Sequence, residues 1–270
     1  MRIGTWNVNS VRARLERICA VLSRHDLDVL ALQEIKCKTE QFPEAEIRAA
    51  GYEVVAHGLN QWNGVAIISR LGMENVRYSF PGQPGFLKGE PPAGQGYISH
   101  TSPEARALGV TTGGIDFWSL YVPNGRAVED PHYYYKLDFL HQLAIFAEES
   151  ARDSQAQIAL AGDWNVIPTD ADVWDATALE SDIYMTEAER AAFFNFSEIG
   201  YSEITRPFTK NYTFWDYQRL RFPRNEGMRI DYIYASPALA ARAQAAHIDR
   251  DERKGKGASD HVPVIVDLAD

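Results

Sequence analysis

Apolar residues along this chain fall into two repeating patterns. Short unbroken apolar runs predict strands buried on both faces. They occur at residues 3–8, 29–33, 52–56, 65–69, 117–122, 157–161, 229–235 and 262–268. Helical spacing appears between them. Val11, Leu15, Ile18 and Leu22 are separated by steps of 4, 3 and 4 and form one helix face, with Asn9-Ser10 ahead of it as cap chemistry. Cys19 lies beside that face and reads as a buried core thiol. Asp130-Pro131 pairs an N-cap with a proline at the first helical position, and Leu137, Leu140, Ala144 and Ala147 follow on one face. Residues 187–199 predict a further helix. The mixture is α/β. Its rhythm is irregular, with several strands in succession, which disfavours an eightfold barrel.

Composition narrows the class. The 270 residues are 45% hydrophobic and 24% charged, a globular balance. A chain this long buries about 70–75% of its unfolded surface and needs no staple to fold. One stretch, residues 81–96, holds four prolines and five glycines. A boundary there would leave too few strands upstream to bury a sheet, so it is read as a surface loop within a single domain spanning 1–270. The net charge of −10 excludes a uniformly basic nucleic-acid binder and a binder of anionic membranes. Two cysteines, Cys19 and Cys37, make no disulfide framework and no thiolate zinc site. No apolar run reaches about 18 residues, the length of a membrane span. The first residues read as a strand without a secretory apolar region. A cytoplasmic setting is expected.

The informative feature is where acids and amides sit. Asn7, Glu34, Asp163 and Asn165 end predicted strands, Asp231 lies within one, and Asp260-His261 precedes the last. Strand ends are where α/β sheets build sites. Each residue alone has a bland reading as a turn former or a satisfied polar group. Together they supply carboxylate and amide oxygens, one imidazole and no thiolate. Hard oxygen ligands select Mg²⁺, Mn²⁺ or Ca²⁺ over zinc. A carboxylate beside an amide can orient a water and take its proton. The set fits metal-assisted hydrolysis of a phosphate ester.

Seven blocks carry a resemblance: Trp6-Asn7-Val8-Asn9-Ser10, Leu32-Gln33-Glu34, Asn63-Gly64-Val65-Ala66, Tyr121-Val122-Pro123-Asn124-Gly125, Gly162-Asp163-Trp164-Asn165, Arg229-Ile230-Asp231-Tyr232 and Ser259-Asp260-His261. In this order the chain resembles the exodeoxyribonuclease III and abasic-site endonuclease family, within the endonuclease/exonuclease/phosphatase superfamily. The resemblance runs from about residue 1 to 268. It implies a deoxyribonuclease-I-like four-layer α/β sandwich, two packed mixed β-sheets flanked by helices. It implies Mg²⁺, with Mn²⁺ as a substitute, on Glu34, with Asn7 and Asp260 at or beside the metal and Asp163 and Asn165 as second-site candidates. By the same resemblance Asp163 activates the attacking water and Asn165 holds that water or the scissile phosphate. His261, oriented by Asp231, stabilises the transition state. Tyr121 and Asn124 contact the phosphate, and Asn9 and Arg106 belong to the phosphate and DNA contacts. Phe214, Trp215, Met228 and Ile230 match a pocket for a flipped-out abasic sugar. Met228 is slimmer than the aromatic some relatives carry, and Asn9 stands where some carry an aspartate.

The implied function is a monomeric DNA-repair nuclease that cuts 5′ to abasic sites in duplex DNA. A 3′→5′ exonuclease and 3′-end-cleaning activity accompany it. The alternatives are another phosphoesterase of the superfamily (an RNA deadenylase, a polyphosphate phosphatase or a sphingomyelinase) and a binding protein with a decayed site. The second would have lost one of Glu34, Asp163, Asn165, Asp260 or His261, and all are present. The charge is also uneven. Residues 170–203 carry nine acids and one base, and residues 206–229 carry six bases against two acids. The basic stretch is expected to face phosphates around the lesion pocket, with the acidic stretch turned away from the duplex.

Overall fold

The computed structural model describes residues 1–86, 102–179 and 183–270. The glycine- and proline-rich stretch at 81–96 lies outside these residues from 87 onward.

In chain order the strands are β1 (Arg2–Asn7), β2 (Val29–Gln33), β3 (Glu53–His57), β4 (Val65–Ser69), β5 (Glu74–Arg77), β6 (Ala107–Thr112), β7 (Ile115–Tyr121), β8 (Ile158–Asp163), β9 (Ser202–Glu203), β10 (Asp231–Ala235), β11 (Ala243–Ile248) and β12 (Val264–Leu268). The helices are α1 (Val11–Arg24), α2 (Glu44–Ala49), α3 (Pro131–Ser150), α4 (Glu187–Glu198) and α5 (Pro237–Ala240). One sheet has the order β11-β12-β1-β2-β4-β3, the other β5-β6-β7-β8-β10-β9. Each is mixed. The pairs β1–β2 and β7–β8 are parallel, and the neighbouring pairs are antiparallel.

Alternation along the strands explains the layers. In β2, Val29 and Ala31 face the other sheet, while Leu30 and Leu32 face the helices; Val65 and Ile67 of β4 divide from Ala66 and Ile68 in the same way. The inner faces meet Leu108, Val110, Phe117, Ala159, Ala161 and Ile233 of the second sheet. The first sheet's outer face packs on Val11, Ile18, Val21 and Leu22 of α1 and Ile47 of α2. The second sheet's outer face packs on Phe139, Leu140, Leu143, Ala144 and Ala147 of α3 and on Phe193 and Phe196 of α4. The result is the four-layer α/β sandwich expected from the resemblance. Among the described residues no helix is long and apolar enough to cross a membrane.

Several local expectations change. Ser10 makes no side-chain cap on α1. Asn9 and Ser10 instead turn through positive φ (46° and 97°), and the Ser10 and Val11 amides donate to the carbonyls of Glu34 and Ile35 at 2.7 and 3.1 Å. The start of α1 is therefore tied to the end of β2. The cap of α3 is as expected: Asp130 accepts from the His132 amide at 2.8 Å. Cys19 is half-buried, packed against the core and not within it. The alanine-rich β11 and the short edge strands β5 and β9 escaped the apolar pattern, because edge strands bury little.

Both parallel pairs point the same way. Asn7 pairs in register with Gln33 at one pair's C-terminal end, and Tyr121 with Asp163 at the other's. Gly162 permits this closeness. A Cβ there would stand 1.9 Å from the Leu120 carbonyl oxygen, a main-chain atom that cannot move aside. Gly162→Ala is expected to destabilise by about 3 kcal/mol or more and to lower the melting temperature by roughly 6–12 °C. An unchanged melt would contradict this packing.

Candidate active site

Sequence positions far apart meet at the rim where the strand ends converge. Asn7 is central. Its Nδ2 donates to Glu34 Oε1 at 2.8 Å and to Asp163 Oδ2 at 2.9 Å. Its Oδ1 accepts from the Asn9 amide at 3.0 Å. The nitrogen of Asn7, not its oxygen, thus faces the two carboxylates. Glu34 sits one residue past β2 in a left-handed turn, with φ 52°. Carboxylate or imidazole atoms of Glu34, Asp163 and His261 lie within 4.8 Å of one another, the one such cluster among the described residues.

Asp163 ends β8. Its Oδ1 accepts the Asn165 amide at 3.0 Å, and Asn165 takes φ 50°. Asn165 Nδ2 donates to the Val122 carbonyl at 2.9 Å, and its Oδ1 accepts from Asn124 Nδ2 at 3.4 Å. Asp231, opposite Asp163 in register, accepts from His261 Nδ1 at 2.8 Å. His261 Nε2 then points to Asp163 Oδ2, 3.8 Å away. Trp6 Nε1 holds the His261 carbonyl at 3.1 Å, and the Phe214 ring stands 4.9 Å from the imidazole.

The charges follow from this packing. Burial pushes the Asp163 carboxyl up to about 7; His261 opposes that, while Asp231 and Glu34 add to it. Burial works against charge on His261, but Asp231 and then Asp163 outweigh it and push the imidazole up to about 10. Asp231 and Asp163 thus favour the charged imidazolium form of His261. Burial also disfavours charge on Glu34, but the ammonium of Lys36 and the Asn7 amide hold it below the usual carboxylate range. The Tyr121 hydroxyl is driven well above its ordinary value by burial and by Glu34, so it stays protonated.

The remaining expected residues are placed as follows. Asp260 lies outside the carboxylate cluster. Its Oδ1 accepts from Asn9 Nδ2 at 3.0 Å and from Ser259 Oγ at 3.3 Å. Arg106 is buried against the Tyr121 ring, 4.8 Å from its centroid, and pairs with Glu104 at 2.6 Å. Tyr121, Asn124 and Arg106 line a cleft of about 750 Å³ that also touches Trp62, Arg126 and His132. Phe214, Met228 and Ile230 share one apolar cluster with Val173 and Ile167. Trp215 stands apart from them, fully buried in a separate cluster with Ile248, Val262 and Val264.

The expected basic face is corrected. Arg229 is fully buried and faces Glu203 at 3.5 Å; Arg206 pairs with Asp172 at 2.9 Å. Arg221 and Arg224 both bind Glu226, at 2.9 and 2.8 Å. Among the described residues only Lys210 and Arg219 of the six are without an ion pair. Two residues of the acidic stretch, Asp172 and Glu203, are ionic partners of the basic one. Sequence reasoning missed Lys36, which bonds Glu34 Oε2 at 2.8 Å and Asn9 Oδ1 at 2.5 Å. Its signal was a cation two residues beyond a candidate ligand. With Arg12 and Lys38 it lines a second cleft of about 400 Å³ that also reaches Trp62.

Comparison with known proteins shows the family and the fold. The model of the Endonuclease/Exonuclease/phosphatase family matches residues 4–261. Exodeoxyribonuclease III of Haemophilus influenzae is 28% identical, with 98% of each chain covered. The solved 3′-5′ exonuclease from Neisseria meningitidis is 31% identical with a TM-score of 0.89, covering 100% of both chains. An AP endonuclease from Archaeoglobus fulgidus is 31% identical with a TM-score of 0.87, covering 99% of both.

The buried ion set makes a pH prediction. A raised imidazole contributes stability that is full below its unfolded pKa near 6.5 and is lost as pH rises toward about 10. The wild-type protein without metal should therefore lose melting temperature between pH 7 and 10. His261→Gln should flatten that decline. Parallel curves for the two proteins would refute the coupling.

Proposed function

The chain belongs to the endonuclease/exonuclease/phosphatase family, and from that premise we propose a DNA-repair nuclease that hydrolyses the phosphodiester 5′ to abasic sites in duplex DNA. It also shortens 3′ ends in the 3′→5′ direction and cleans blocked 3′ termini. It works as a monomer in the cytoplasm. The observation that carries this reading is the convergence of Glu34, Asp163 and His261 within 4.8 Å, with Asn7 bridging the two carboxylates.

The donor set fits a hard divalent cation. His261 is favoured as imidazolium, a form with no free lone pair, so carboxylates remain as the charged donors. Oxygen donors favour Mg²⁺, with Mn²⁺ as a substitute. Glu34 would hold the ion, with Asp260 beside it through Asn9 and with Asp163 and Asn165 as the second-site candidates. When bound, the ion neutralises developing charge on phosphate oxygens.

The protein's own groups account for the rest. Asp163, with a carboxyl near 7, is matched to taking a proton from water at neutral pH. Asn165, fixed by Val122 and by the Asp163 side chain, holds that water or the scissile phosphate. His261 donates from Nε2 to a phosphoryl oxygen, while Asp231 on Nδ1 fixes the ring and stabilises its charge. Tyr121 stays protonated and donates its hydroxyl to the phosphate or to the leaving oxygen. Asn124 contacts the same phosphate. Phe214, Met228 and Ile230 form an apolar wall that accepts a sugar without a base and excludes one with a base by size. Trp215 packs in a separate core cluster and takes no part in this wall. Arg106 steadies Tyr121.

A labelled duplex with one abasic analogue tests the reading. Cleavage on the 5′ side of the lesion is expected with Mg²⁺ and is lost in EDTA. No lesion cleavage and no shortening of 3′ ends would overturn it. Faster turnover of an adenylate-tailed RNA or of an inositol polyphosphate would assign the site to another branch of the family. Asp163→Asn should lower kcat by about 10²-fold or more, with duplex binding near wild type in a gel-shift titration. Equal loss of both would remove Asp163 from the role of base.

A further inference from the structure

Beneath the candidate site lies a charge pair that the reaction above does not use. Lys136 of α3 and Glu189 of α4 are in contact, and neither side chain has any exposed surface. All three donors of the Lys136 ammonium are engaged. One goes to Glu189 Oε1, one to the main-chain carbonyl of Asn165 at 2.6 Å, and one to that of Asn124 at 3.4 Å. Glu189 is equally saturated. Its Oε1 also accepts the Tyr184 amide at 3.0 Å, and its Oε2 accepts the Thr186 amide and hydroxyl at 3.0 and 2.9 Å. Tyr184 closes the loop, because its hydroxyl bonds the Asn124 side chain.

Glu189 also closes a capping box with Thr186 at the start of α4, but helix capping does not require the buried lysine. Taking two charges out of water costs about as much as their attraction returns, and apolar residues of the same volume serve a core as well. An apolar side chain cannot, however, donate to two carbonyls at once. Those two carbonyls belong to residues that present amides at the site. The Asn165 peptide is gripped at both ends, its N–H by Asp163 and its C=O by Lys136. That grip holds Asn165 in a left-handed conformation that a residue with a side chain otherwise leaves readily.

We propose that Lys136 and Glu189 form a positioning pair for the reaction. Lys136 aligns the Asn165 and Asn124 backbones from below, and Glu189 aligns Lys136. Neither touches substrate. The proposal rests on the nuclease reading of the site, and its role is to set the two amides in register with Asp163.

The test is the double substitution Lys136→Met with Glu189→Gln, which removes both charges at similar volume. Glutamine keeps an acceptor for Thr186. The melting temperature should fall by several degrees, because two buried carbonyls lose their donor, but the variant should stay folded at the assay temperature. KM for the abasic duplex should be little changed, and kcat per folded molecule should fall about 10²-fold, as expected for misplaced reacting groups. Glu189→Gln alone leaves Lys136 buried without its charge partner, so it should lower the melting temperature and, because the Lys136 donors remain but are less well aligned, reduce kcat by less than the double variant does. In ¹⁵N spectra of the double variant the side-chain amide signals of Asn124 and Asn165 should shift or broaden. An unchanged kcat, a loss confined to KM, a loss that only tracks the folded fraction, or unmoved amide signals would each overturn the proposal. A double variant that fails to fold assigns the pair to stability and overturns it as well. Wild-type protein inert on DNA would sink the nuclease reading alone, and the amide signals would still decide the pair.

Discussion

The contact on which the site depends is the amide of Asn7 between Glu34 and Asp163. Asn7 and Glu34 belong to the first sheet, and Asp163 to the second. One NH₂ group donates to both, at 2.8 and 2.9 Å. Two carboxylates this close repel, and burial raises the cost of charging either. A shared donor with positive partial charge on both hydrogens offsets part of that cost. It also fixes the spacing between the sheets at their rim. The interior behind it is largely apolar but holds buried polar contacts: Gln33 Nε2 bonds Thr5 at 3.0 Å and Ser119 at 3.1 Å, and the Ser69 and Thr112 hydroxyls meet at 2.7 Å. The Gln33–Ser119 and Ser69–Thr112 contacts also cross from sheet to sheet, so the register between layers is set by directional bonds as well as by packing.

The net charge of −10 is the excess of 37 acids over 27 bases, and many of those bases are taken up in internal ion pairs. Arginines that read as a basic face in the sequence are paired internally with Asp172, Glu203 and Glu226. The cationic groups beside the carboxylates come from elsewhere, from Lys36 on Glu34 and His261 near Asp163, with Arg12 and Lys38 lining the cleft next to Lys36. A phosphate approaching Glu34 therefore meets a local positive charge on a chain that is acidic overall. The field at the site is decided by a few cations over short distances, because salt screens the rest beyond about 8–10 Å.

Much of the architecture was legible in the sequence. Strands buried on both faces leave unbroken apolar runs, and those of β1, β2, β4, β7 and β8 were read to within about two residues, the scatter ordinary for element ends. The carboxylates and amides of the rim were legible because each terminates such a run. What escaped was structure made by pairing and not by period. The edge strands β5, β9 and β11 bury little and carry no pattern, although the edge strand β3 was read, and the buried β6 escaped because Gly109, Thr111 and Thr112 break its apolar run. Ser10 looked like a cap by composition, yet its amide is already used by the Glu34 carbonyl. Trp215 adjoins Phe214 in sequence, but neighbours in an extended segment point to opposite sides, and Trp215 turns into the core. Ion pairing is the least legible of all, since Arg229 and Glu203, or Lys136 and Glu189, are partners only once the chain has folded.

Backbone conformation argues that the site is built before substrate arrives. Asn9, Glu34, Lys36 and Asn165 all take φ between 46° and 52°, a region that costs residues such as Glu34 and Lys36 roughly 1–2 kcal/mol and that asparagine adopts more readily. Four such residues around one rim would relax unless bonds held them. Each is held: Asn9 by Asn7, Lys36 by the Asn63 carbonyl, Asn165 by Asp163, and Glu34 by Asn7 and Lys36. The strain and the bonds that oppose it involve the same side chains that the chemistry needs. Loosening one bond therefore frees a strained residue as well as a ligand or base. Substitutions at this rim should act cooperatively for that reason, with the effects of paired changes departing from the sum of the single ones.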